Sequence, residues 1–230
     1  MRLEGRTVIV TGGASGLGAA TVRAVRDAGG VPHVLDLNEP PDGVDGQRVD
    51  LADPEAGATA VERAAERHGQ IDAVVTAAGT DSCGRLGDVD PKAWERVIMV
   101  NLIGTAAVVR AALPHLERTQ GRIVTIGSTL GQTALSDATA YCASKFGVVG
   151  FTRALTAELA GDIGVTMIAP GGMETAFFDS RDERYKPPPD AKLNDPANVA
   201  AAVVFALSQP PGCEVRELVV TPATESSWPP

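Results

Sequence analysis

Short apolar segments rich in β-branched residues alternate with longer segments whose apolar positions have helical spacing, and this alternation continues along the chain. It is typical of βαβ units, in which a helix connects two parallel strands. Right-handed connections of this kind predict one α/β domain built on a doubly wound parallel sheet of about seven strands, with ligands at the carboxyl ends of the strands. The predicted strands lie near residues 6–11, 31–36, 47–50, 71–77, 121–127, 163–169 and 215–220.

Three helix starts are marked by an aspartate that directly precedes a proline, at Asp53, Asp90 and Asp195. An aspartate side chain caps the free N–H groups of a first turn, and proline is favoured at the first helical position. Pro114 is expected to end or kink the helix that follows Asp90, because proline cannot donate a helical hydrogen bond. The predicted helices cover residues 19–28, 54–68, 91–113, 138–160 and 196–208.

A glycine-rich turn joins the first predicted strand to the first helix, between Thr11 and Gly18. Strand, glycine turn and helix are the context of a dinucleotide-binding site in a Rossmann fold. Gly12 permits the tight turn, Gly16 lets the backbone approach a pyrophosphate, and Gly18 lets the helix pack closely on the strand. Because a helix N-terminus attracts anionic phosphates, this segment predicts a cofactor site.

Asp36 ends the second predicted strand and indicates which dinucleotide is bound. A carboxylate at this place accepts hydrogen bonds from the adenosine ribose hydroxyls and repels a 2′-phosphate. Ser15 and Leu37 stand where a basic residue would hold that phosphate, and neither carries a positive charge. The sequence therefore predicts NAD rather than NADP. The alternative is that Asp36 only forms a turn at the end of a strand.

Tyr141 and Lys145 lie four residues apart in a predicted helix and so share one face. The ammonium of Lys145 is predicted to lower the pKa of the Tyr141 phenol, which could then exchange a proton with a substrate oxygen near neutral pH. Ser128 could hold the same oxygen. These groups suit the interconversion of an alcohol and a carbonyl. Taken alone, Tyr141 and Lys145 could equally be surface residues, and Ser128 and Asn101 could be local backbone caps.

Charge, hydropathy and cysteine spacing limit the classes of function that the protein can have. The formal net charge of −9 argues against a nucleic-acid or acidic-membrane surface. No membrane-spanning segment or signal peptide is predicted. Cys83, Cys142 and Cys213 lie far apart without metal-ligand spacing, so no metal is predicted. The cytoplasm, which is reducing, is the expected compartment.

The motifs together resemble the short-chain dehydrogenase/reductase superfamily in its short, single-domain form, over nearly the whole chain. The resemblance implies that Tyr141 is the general acid/base and that Lys145 lowers its pKa and holds the nicotinamide ribose. It implies that Ser128 orients the substrate oxygen and that Asn101 shapes the active-site helix and anchors a water in a proton relay. The matching motifs are Thr11 to Gly18, Asp36, Asp50-Leu51, Ala77-Ala78-Gly79, Asn101, Ser128, Tyr141 with Lys145, and Pro170-Gly171 with Thr175.

The resemblance also implies where the remaining parts of the cofactor lie. Asp50 and Leu51, at the third strand's end, flank the adenine. Ala77 to Gly79, at the end of the fourth strand, line the cofactor through their backbone. Pro170 to Thr175, after the sixth strand, contact the nicotinamide end. Relatives assemble through two long helices, so a homotetramer or homodimer is expected. The predicted cofactor-binding residues are Gly12, Ser15, Gly16, Leu17, Gly18, Asp36, Leu37, Asp50, Leu51, Ala77, Ala78, Gly79, Asn101, Tyr141, Lys145, Pro170, Gly171, Met173 and Thr175.

Two segments and two single positions depart from regular patterns. Thr76-Ala77-Ala78-Gly79 stands where the family has Asn-Asn-Ala-Gly, which predicts altered support of the central strand, and Ala169 replaces the asparagine before Pro-Gly. Residues 172–194 lack periodicity and are predicted to close over the substrate, the alternative being a solvated loop. Residues 221–230 replace the usual Gly-Gly turn; we expect an ordered tail, with Trp228 packed at a subunit interface or beside the substrate loop.

The resulting interpretation is an NAD-dependent oxidoreductase that interconverts a secondary alcohol and a ketone, with no nucleic-acid or membrane partner. Ser128 and Tyr141 are the predicted substrate contacts. A 3-oxoacyl-thioester reductase is the alternative within enzymes, although Asp36 disfavours the NADP that such enzymes prefer. The alternative from another class is a non-catalytic NAD-binding scaffold or regulator.

Overall fold

The computed structural model describes residues 3–229 and contains a parallel sheet with the strand order β3-β2-β1-β4-β5-β6-β7. The chain moves outward in one direction from β1 to β3, returns to the centre at β4, and then moves outward in the other direction. The predicted doubly wound parallel sheet is thereby confirmed. The strands are β1 (Thr7–Thr11), β2 (Val31–Asp36), β3 (Asp45–Arg48), β4 (Ala73–Thr76), β5 (Arg122–Ile126), β6 (Gly164–Pro170) and β7 (Glu217–Val220).

Helices cover both faces of the sheet, and each face has its own apolar core. One core contains Val10 and Val34 of the sheet together with Val22 of α1 and Val203 of α6; the other lies under α2, α4 and α5. The central strands are buried on both faces, as expected for a parallel sheet. The helices are α1 (Gly16–Asp27), α2 (Pro54–His68), α3 (Pro91–Ile98), α4 (Thr105–Thr119), α5 (Thr139–Glu158) and α6 (Pro196–Leu207).

The predicted caps are present at the starts of α2, α3 and α6. Asp53 accepts hydrogen bonds from two backbone N–H groups of the first turn of α2, and Asp90 and Asp195 each accept one. These carboxylates explain why the three helices begin where the sequence predicted.

Pro114 does not end the helix in which it lies, because α4 continues to Thr119. Proline removes one helical N–H, which leaves the carbonyl four residues earlier without that donor. Burial of Ala112 and Leu116 on either side holds the helix against the sheet nevertheless. A π-helical segment, Met99–Gly104, lies between α3 and α4 and was not predicted. Such segments occur often at functional sites, and this one contains Asn101.

The helical stretch Pro91–Thr119 is also long and apolar enough to cross a membrane, with a mean hydropathy of 1.8 in its most apolar window. In this fold, Val108, Val109, Ala112 and Leu116 are buried in the core under the sheet. Packing against the sheet therefore accounts for the apolar composition. The absence of a membrane partner stays a prediction.

Candidate active site

The carboxyl ends of the strands open onto one cavity of about 1040 Å³. It lies where the sheet order reverses between β1 and β4, the place where doubly wound sheets bind ligands. The cavity runs from Asp36 at the end of β2 to Tyr141 on α5 and is bordered by residues 172–193 and the C-terminal tail. Every predicted cofactor-binding residue except Asn101 lines it.

The glycine turn at the start of α1 is packed too tightly for side chains. Gly12 has a φ of 69°, and a Cβ there would stand 2.7 Å from the Cα of Ala78. A Cβ at Gly18 would collide with the carbonyl oxygen of Gly12. Thr11 ties this turn to the end of β4, because its Oγ1 accepts a hydrogen bond from Ala78 N at 3.0 Å. The turn and the end of β4 therefore form one rigid floor of the cavity.

Asp36 lines the cavity at the end of β2, where its position in the sequence predicts that the adenosine binds. Its side chain is buried, and Oδ2 accepts from Ala14 N at 2.9 Å while Oδ1 accepts from Asn38 N at 2.8 Å. The carboxylate thus holds the glycine turn and also lines the cavity. The turn-forming role and the cofactor-binding role are both compatible with this geometry.

Asp50 is engaged by a cation that sequence reasoning did not identify. Arg96 of α3 forms two hydrogen bonds of 3.0 Å with the Asp50 carboxylate, and these keep the pKa of that carboxyl below its usual value despite partial burial. Both residues line the cavity near Leu51. The Asp50–Arg96 pair therefore fixes the loop after β3. The strand β3 itself begins and ends two residues earlier than the predicted strand 47–50.

Tyr141 and Ser128 meet at the other end of the cavity. Ser128 follows β5, where its Oγ accepts from Leu130 N at 3.1 Å, and it lies close enough to the Tyr141 phenol to lower the pKa of that phenol. Two neighbouring hydroxyl groups that line one cavity can both contact a substrate oxygen placed between them. The predicted substrate contacts are therefore neighbours in the fold.

Lys145 lies one turn after Tyr141 and is almost fully buried. Its Nζ donates to the carbonyl of Ile126 at 2.8 Å and stands 5.7 Å from the centre of the Tyr141 ring. Burial lowers the pKa of Lys145 to about 8. An amine with such a pKa keeps only part of its positive charge at slightly alkaline pH.

The predicted lowering of the Tyr141 pKa is not found in this structure. Burial raises the pKa of Tyr141 to about 12, and the neighbouring Ser128 hydroxyl only partly opposes that effect. The expectation was wrong because it considered the helical spacing of Lys145 and ignored the cost of burying a phenolate. Without further positive charge, Tyr141 is a neutral phenol that can donate a proton.

Asn101 holds the active-site helix and does not line the cavity. Its Oδ1 accepts from Thr80 N at 2.8 Å, and its Nδ2 donates to the Thr80 carbonyl at 2.9 Å and to Ser144 Oγ at 3.0 Å. Ser144 in turn donates to the Tyr141 carbonyl at 2.8 Å. The network connects the loop after β4 to the turn of α5 that carries Tyr141. The predicted shaping of the helix has a physical basis, while the water relay stays a prediction.

The segment predicted to cover the substrate is anchored by a buried ion pair. Arg181 bonds to Asp81 at 2.5 Å, and its guanidinium lies 4.6 Å from the ring centre of Phe178. Phe177 packs against Tyr141 with ring centres 5.7 Å apart. Asp81 and Arg181 are 100 residues apart in sequence, so no local signal could have paired them.

The C-terminal tail packs against the loops after β5 and β6 and lines the cavity. Glu225 accepts from Gly172 N at 3.0 Å, and Ser227 Oγ accepts from Thr129 Oγ1 at 2.7 Å. Trp228 is half-buried, and Pro230 lies outside the described residues. An ordered tail with Trp228 packed at a subunit interface or beside the substrate loop stays a prediction, and the contacts of Glu225 and Ser227 were not predicted.

Thr76 is the last residue of β4 and lies among the central strands. Its Oγ1 is buried and has no hydrogen-bond partner among residues 3–229, so it adds no link between the central strands. The altered support of the central strand relative to the family stays a prediction. Within the same residues, no group of three His, Cys, Asp or Glu side chains could hold a metal ion, and the expectation of no metal stays a prediction.

The residues present fit a nicotinamide dinucleotide. The backbone N–H groups at the start of α1 can hold phosphates, the glycine turn leaves no side chain in their way, and Asp36 can accept from a ribose. The far end of the cavity presents Tyr141, Ser128 and Lys145, which can hold and protonate a substrate oxygen. The cavity has room for a cofactor and a small substrate together.

Comparisons with known proteins agree with this arrangement. The family model described as short chain dehydrogenase matches residues 6–186. The chain is 31% identical to an L-fucose dehydrogenase of Mus musculus, over 99% of this chain and 91% of that protein. It is 30% identical to a 3-oxoacyl-acyl-carrier-protein reductase of Thermotoga maritima, over 90% of this chain and 92% of that protein.

Solved structures show the same fold. The ligand-free aldohexose dehydrogenase of Thermoplasma acidophilum superposes with a TM-score of 0.87 and 25% identity, over 95% of this chain and 93% of the other. Dehydrogenases of this family use nicotinamide cofactors, which agrees with the glycine turn and the tyrosine–lysine pair at the two ends of one cavity. This chain therefore belongs to the short-chain dehydrogenase family of oxidoreductases.

Proposed function

We propose that this protein is an NAD-dependent oxidoreductase that interconverts a secondary alcohol and a ketone, with Tyr141 as the general acid/base. The observation that carries the proposal is that the Tyr141 and Ser128 hydroxyls line the same cavity as the glycine turn. A proton donor and an oxygen-holding hydroxyl thus lie beside a dinucleotide site. Nothing more is needed to place a carbonyl oxygen for reduction.

In the reductive direction, Ser128 and Tyr141 both donate hydrogen bonds to the ketone oxygen. The bound nicotinamide supplies the hydride that reaches the carbonyl carbon. As negative charge develops on the oxygen, the neutral Tyr141 phenol transfers its proton there, and the alcohol forms. Lys145 stabilises the resulting phenolate with its residual positive charge, and solvent returns the proton. Overall, the ketone gains one hydride and one proton and becomes the secondary alcohol.

In the oxidative direction, Tyr141 must act as a base, and its raised pKa of about 12 opposes this. Positive charge close to the phenol lowers its pKa. Lys145 at 5.7 Å from the ring centre contributes one such charge when protonated, and the oxidised cofactor carries a second on its nicotinamide ring. We infer that Tyr141 becomes an effective base only in the complex with NAD.

Asp36 supports NAD over NADP. Its carboxylate is buried and fixed by Ala14 N and Asn38 N, so it cannot swing away from a 2′-phosphate. Two like charges about 4 Å apart at an intermediate dielectric repel by roughly 4 kcal/mol. Ser15 and Leu37, which flank this part of the cavity, provide no compensating cation.

The relatives favour a hydroxylated substrate but keep one alternative open. Two of the similar proteins are named for L-fucose and for aldohexoses, which are sugars that carry several secondary hydroxyl groups. The bacterial relative named as a 3-oxoacyl thioester reductase supports the alternative reaction. That reductase activity would require NADP to be accepted beside Asp36. A non-catalytic NAD-binding role is disfavoured because Asn101, Ser128, Tyr141 and Lys145 are all present.

The exposed side chains of Ile103 and Phe146 support association with a second copy of the chain. They are 39% and 46% exposed and lie on the π-helical segment and on α5, outside the catalytic cavity. Apolar side chains of this size are commonly covered in assemblies. We propose a cytoplasmic homodimer or homotetramer that uses this surface.

The direct test is NADH formation, followed by absorbance, with a panel of secondary alcohols that includes aldohexoses and 3-hydroxyacyl thioesters. Reduction of the matching ketones is followed in the reverse direction. The proposal expects turnover of at least one neutral alcohol with NAD. Turnover confined to 3-oxoacyl thioesters with NADPH would establish the alternative, and NAD binding without any turnover would establish the scaffold.

A further inference from the structure

The C-terminal tail, residues 221–229, connects the two loops that border the reacting position. Ser227 Oγ accepts from Thr129 Oγ1 at 2.7 Å, and Thr129 directly follows Ser128. Glu225 Oε2 accepts from Gly172 N at 3.0 Å, and Gly172 follows the end of β6. The tail therefore closes the cavity on the side where the substrate oxygen meets Ser128 and Tyr141.

Glu225 is held firmly at this place. Its Oε1 accepts from Ser227 N at 3.1 Å and from Ser227 Oγ at 2.7 Å. A Cβ built at Gly171 would collide with Glu225 Oε2, so the carboxylate fits here because residue 171 is glycine. Partial burial raises the pKa of Glu225, but the hydrogen bonds from Gly172 and Ser227 outweigh it and keep the pKa below its usual value. Glu225 is therefore an anion at neutral pH.

The arginines that line the cavity do not neutralise this anion. Arg181 is paired with Asp81 at 2.5 Å, and Arg96 is paired with Asp50 at 3.0 Å. Among residues 3–229, Glu225 takes part in no ion pair within 4.0 Å. The cavity thus carries a fixed negative charge close to the substrate end. Two lysines also line the cavity, Lys145, which is buried beside Tyr141, and Lys192, which is exposed, and both can oppose this charge without forming an ion pair with Glu225.

The rest of the substrate end combines an aromatic surface with hydroxyl groups. Phe177 packs beside Tyr141 with ring centres 5.7 Å apart. Thr129, Thr224 and Ser227 line the cavity with hydroxyl side chains that donate and accept hydrogen bonds. An apolar ring face opposite hydroxyls and a carboxylate suits a compact ring that carries several hydroxyl groups.

We propose that the tail is a wall of the substrate site and that Glu225 makes the enzyme select neutral polyhydroxylated substrates, of the aldose or cyclic polyol class, over anionic alcohols. This inference rests on the proposed oxidoreductase function, because it places the substrate beside Tyr141. Glu225 acts by repelling carboxylate or phosphate groups and by accepting hydrogen bonds from hydroxyls.

Three cyclohexane alcohols of the same shape test the proposal: cyclohexanol, cis-cyclohexane-1,4-diol and cis-4-hydroxycyclohexanecarboxylate. Their dissociation constants are measured by calorimetry on the protein saturated with NADH. Alcohol and NADH are both reduced, so no turnover occurs, and the result does not depend on the proposed activity. Turnover of the same compounds with NAD is measured separately. The variant is Glu225→Gln, and the charge-matched control is Glu183→Gln, whose side chain is 90% exposed in the segment 172–194 and does not line the cavity.

The expected result is that the wild-type protein binds the diol at least tenfold more tightly than the carboxylate, with cyclohexanol weaker than the diol. Glu225→Gln should reduce the ratio between diol and carboxylate at least fivefold, while Glu183→Gln leaves it within twofold of the wild type. The proposal is overturned if the wild type binds the carboxylate as tightly as the diol, which would implicate Lys192, or if Glu225→Gln leaves the ratio unchanged. Binding preference without turnover of any alcohol would instead overturn the proposed function alone.

Discussion

Asp36 is the residue whose charge should decide cofactor choice. We expect kcat/KM with NAD to exceed that with NADP by at least about tenfold, which corresponds to ~1.4 kcal/mol. Replacing Asp36 by alanine and Leu37 by arginine should shift the preference toward NADP, because the repulsion is removed and a cation is added. Initial rates with both cofactors measure the effect.

Asp42→Ala is the matched control for this change. Asp42 is exposed on the loop after β2, and its replacement removes the same charge outside the cavity. The control should keep the wild-type preference. Equal use of NAD and NADP by the wild type would contradict the electrostatic argument.

Single residues could be predicted from sequence where their roles depend on near neighbours in the chain. Gly12, Gly18 and the Tyr141–Lys145 pair belong to local motifs, and the structure brings them to one cavity. Ser144 lies between Tyr141 and Lys145 and could have been noticed, since it connects Asn101 to the helix. The raised pKa of Tyr141 could not be predicted, because burial is a property of the whole fold.

At the scale of elements, the tail is the part whose removal is most informative. Truncation after Val220 keeps β7 but removes the hydrogen bonds to Gly172 and Thr129. We expect KM for the alcohol to rise at least severalfold, while the NAD dissociation constant changes by less than about threefold. Steady-state kinetics and calorimetry measure the two quantities.

A shorter truncation, after Trp228, controls for loss of the chain end alone. It keeps Glu225 and Ser227 and should behave as the wild type. If the truncation after Val220 also has wild-type kinetics and an unchanged oligomer mass, the tail is a passive extension.

The elements themselves followed the sequence pattern except where tertiary contacts override it. β3 begins and ends two residues earlier than predicted, because polar Asp45–Arg48 pairs at the sheet edge while apolar Val49 and Leu51 are buried beside it. The π-helical segment Met99–Gly104 could not be predicted, because its mostly apolar residues show no periodicity that distinguishes it from an α-helix. The turns within residues 172–194 depend on Arg181 meeting Asp81, which only the folded chain brings together.

For the whole molecule, a buried histidine pair predicts how stability depends on pH. His33 on β2 contacts His68 on α2 at 3.0 Å, and burial, followed by the nearby His68, lowers the pKa of His33 to about 4; Asp45 opposes this and Arg67 adds to it. The unfolded chain, with a histidine pKa near 6.5, binds more protons between these values. Stability from this site is therefore present above about pH 6.5 and is lost as the pH falls toward 4.

From pH 7.5 to pH 5, the loss from His33 should be roughly 2 kcal/mol, as measured by urea denaturation. His33→Asn should flatten the pH dependence by about that amount, since asparagine does not titrate. His115→Asn is a control at a histidine of α4 that contacts Glu62 and lies outside the His33–His68 pair. Equal pH slopes for the wild type and His33→Asn would contradict the assignment.

The central claim is that the groups gathered at the carboxyl ends of the strands perform hydride transfer coupled to proton transfer by Tyr141. It is tested most directly by Tyr141→Phe, which removes only the phenolic oxygen, with Tyr185→Phe as the control at the chain's other tyrosine. The measurement is kcat with the best alcohol alongside calorimetric NAD binding. The account predicts a loss of at least about 100-fold in kcat with NAD affinity within about twofold of the wild type. A Tyr141→Phe protein that turns over within a few-fold of the wild-type rate would contradict it.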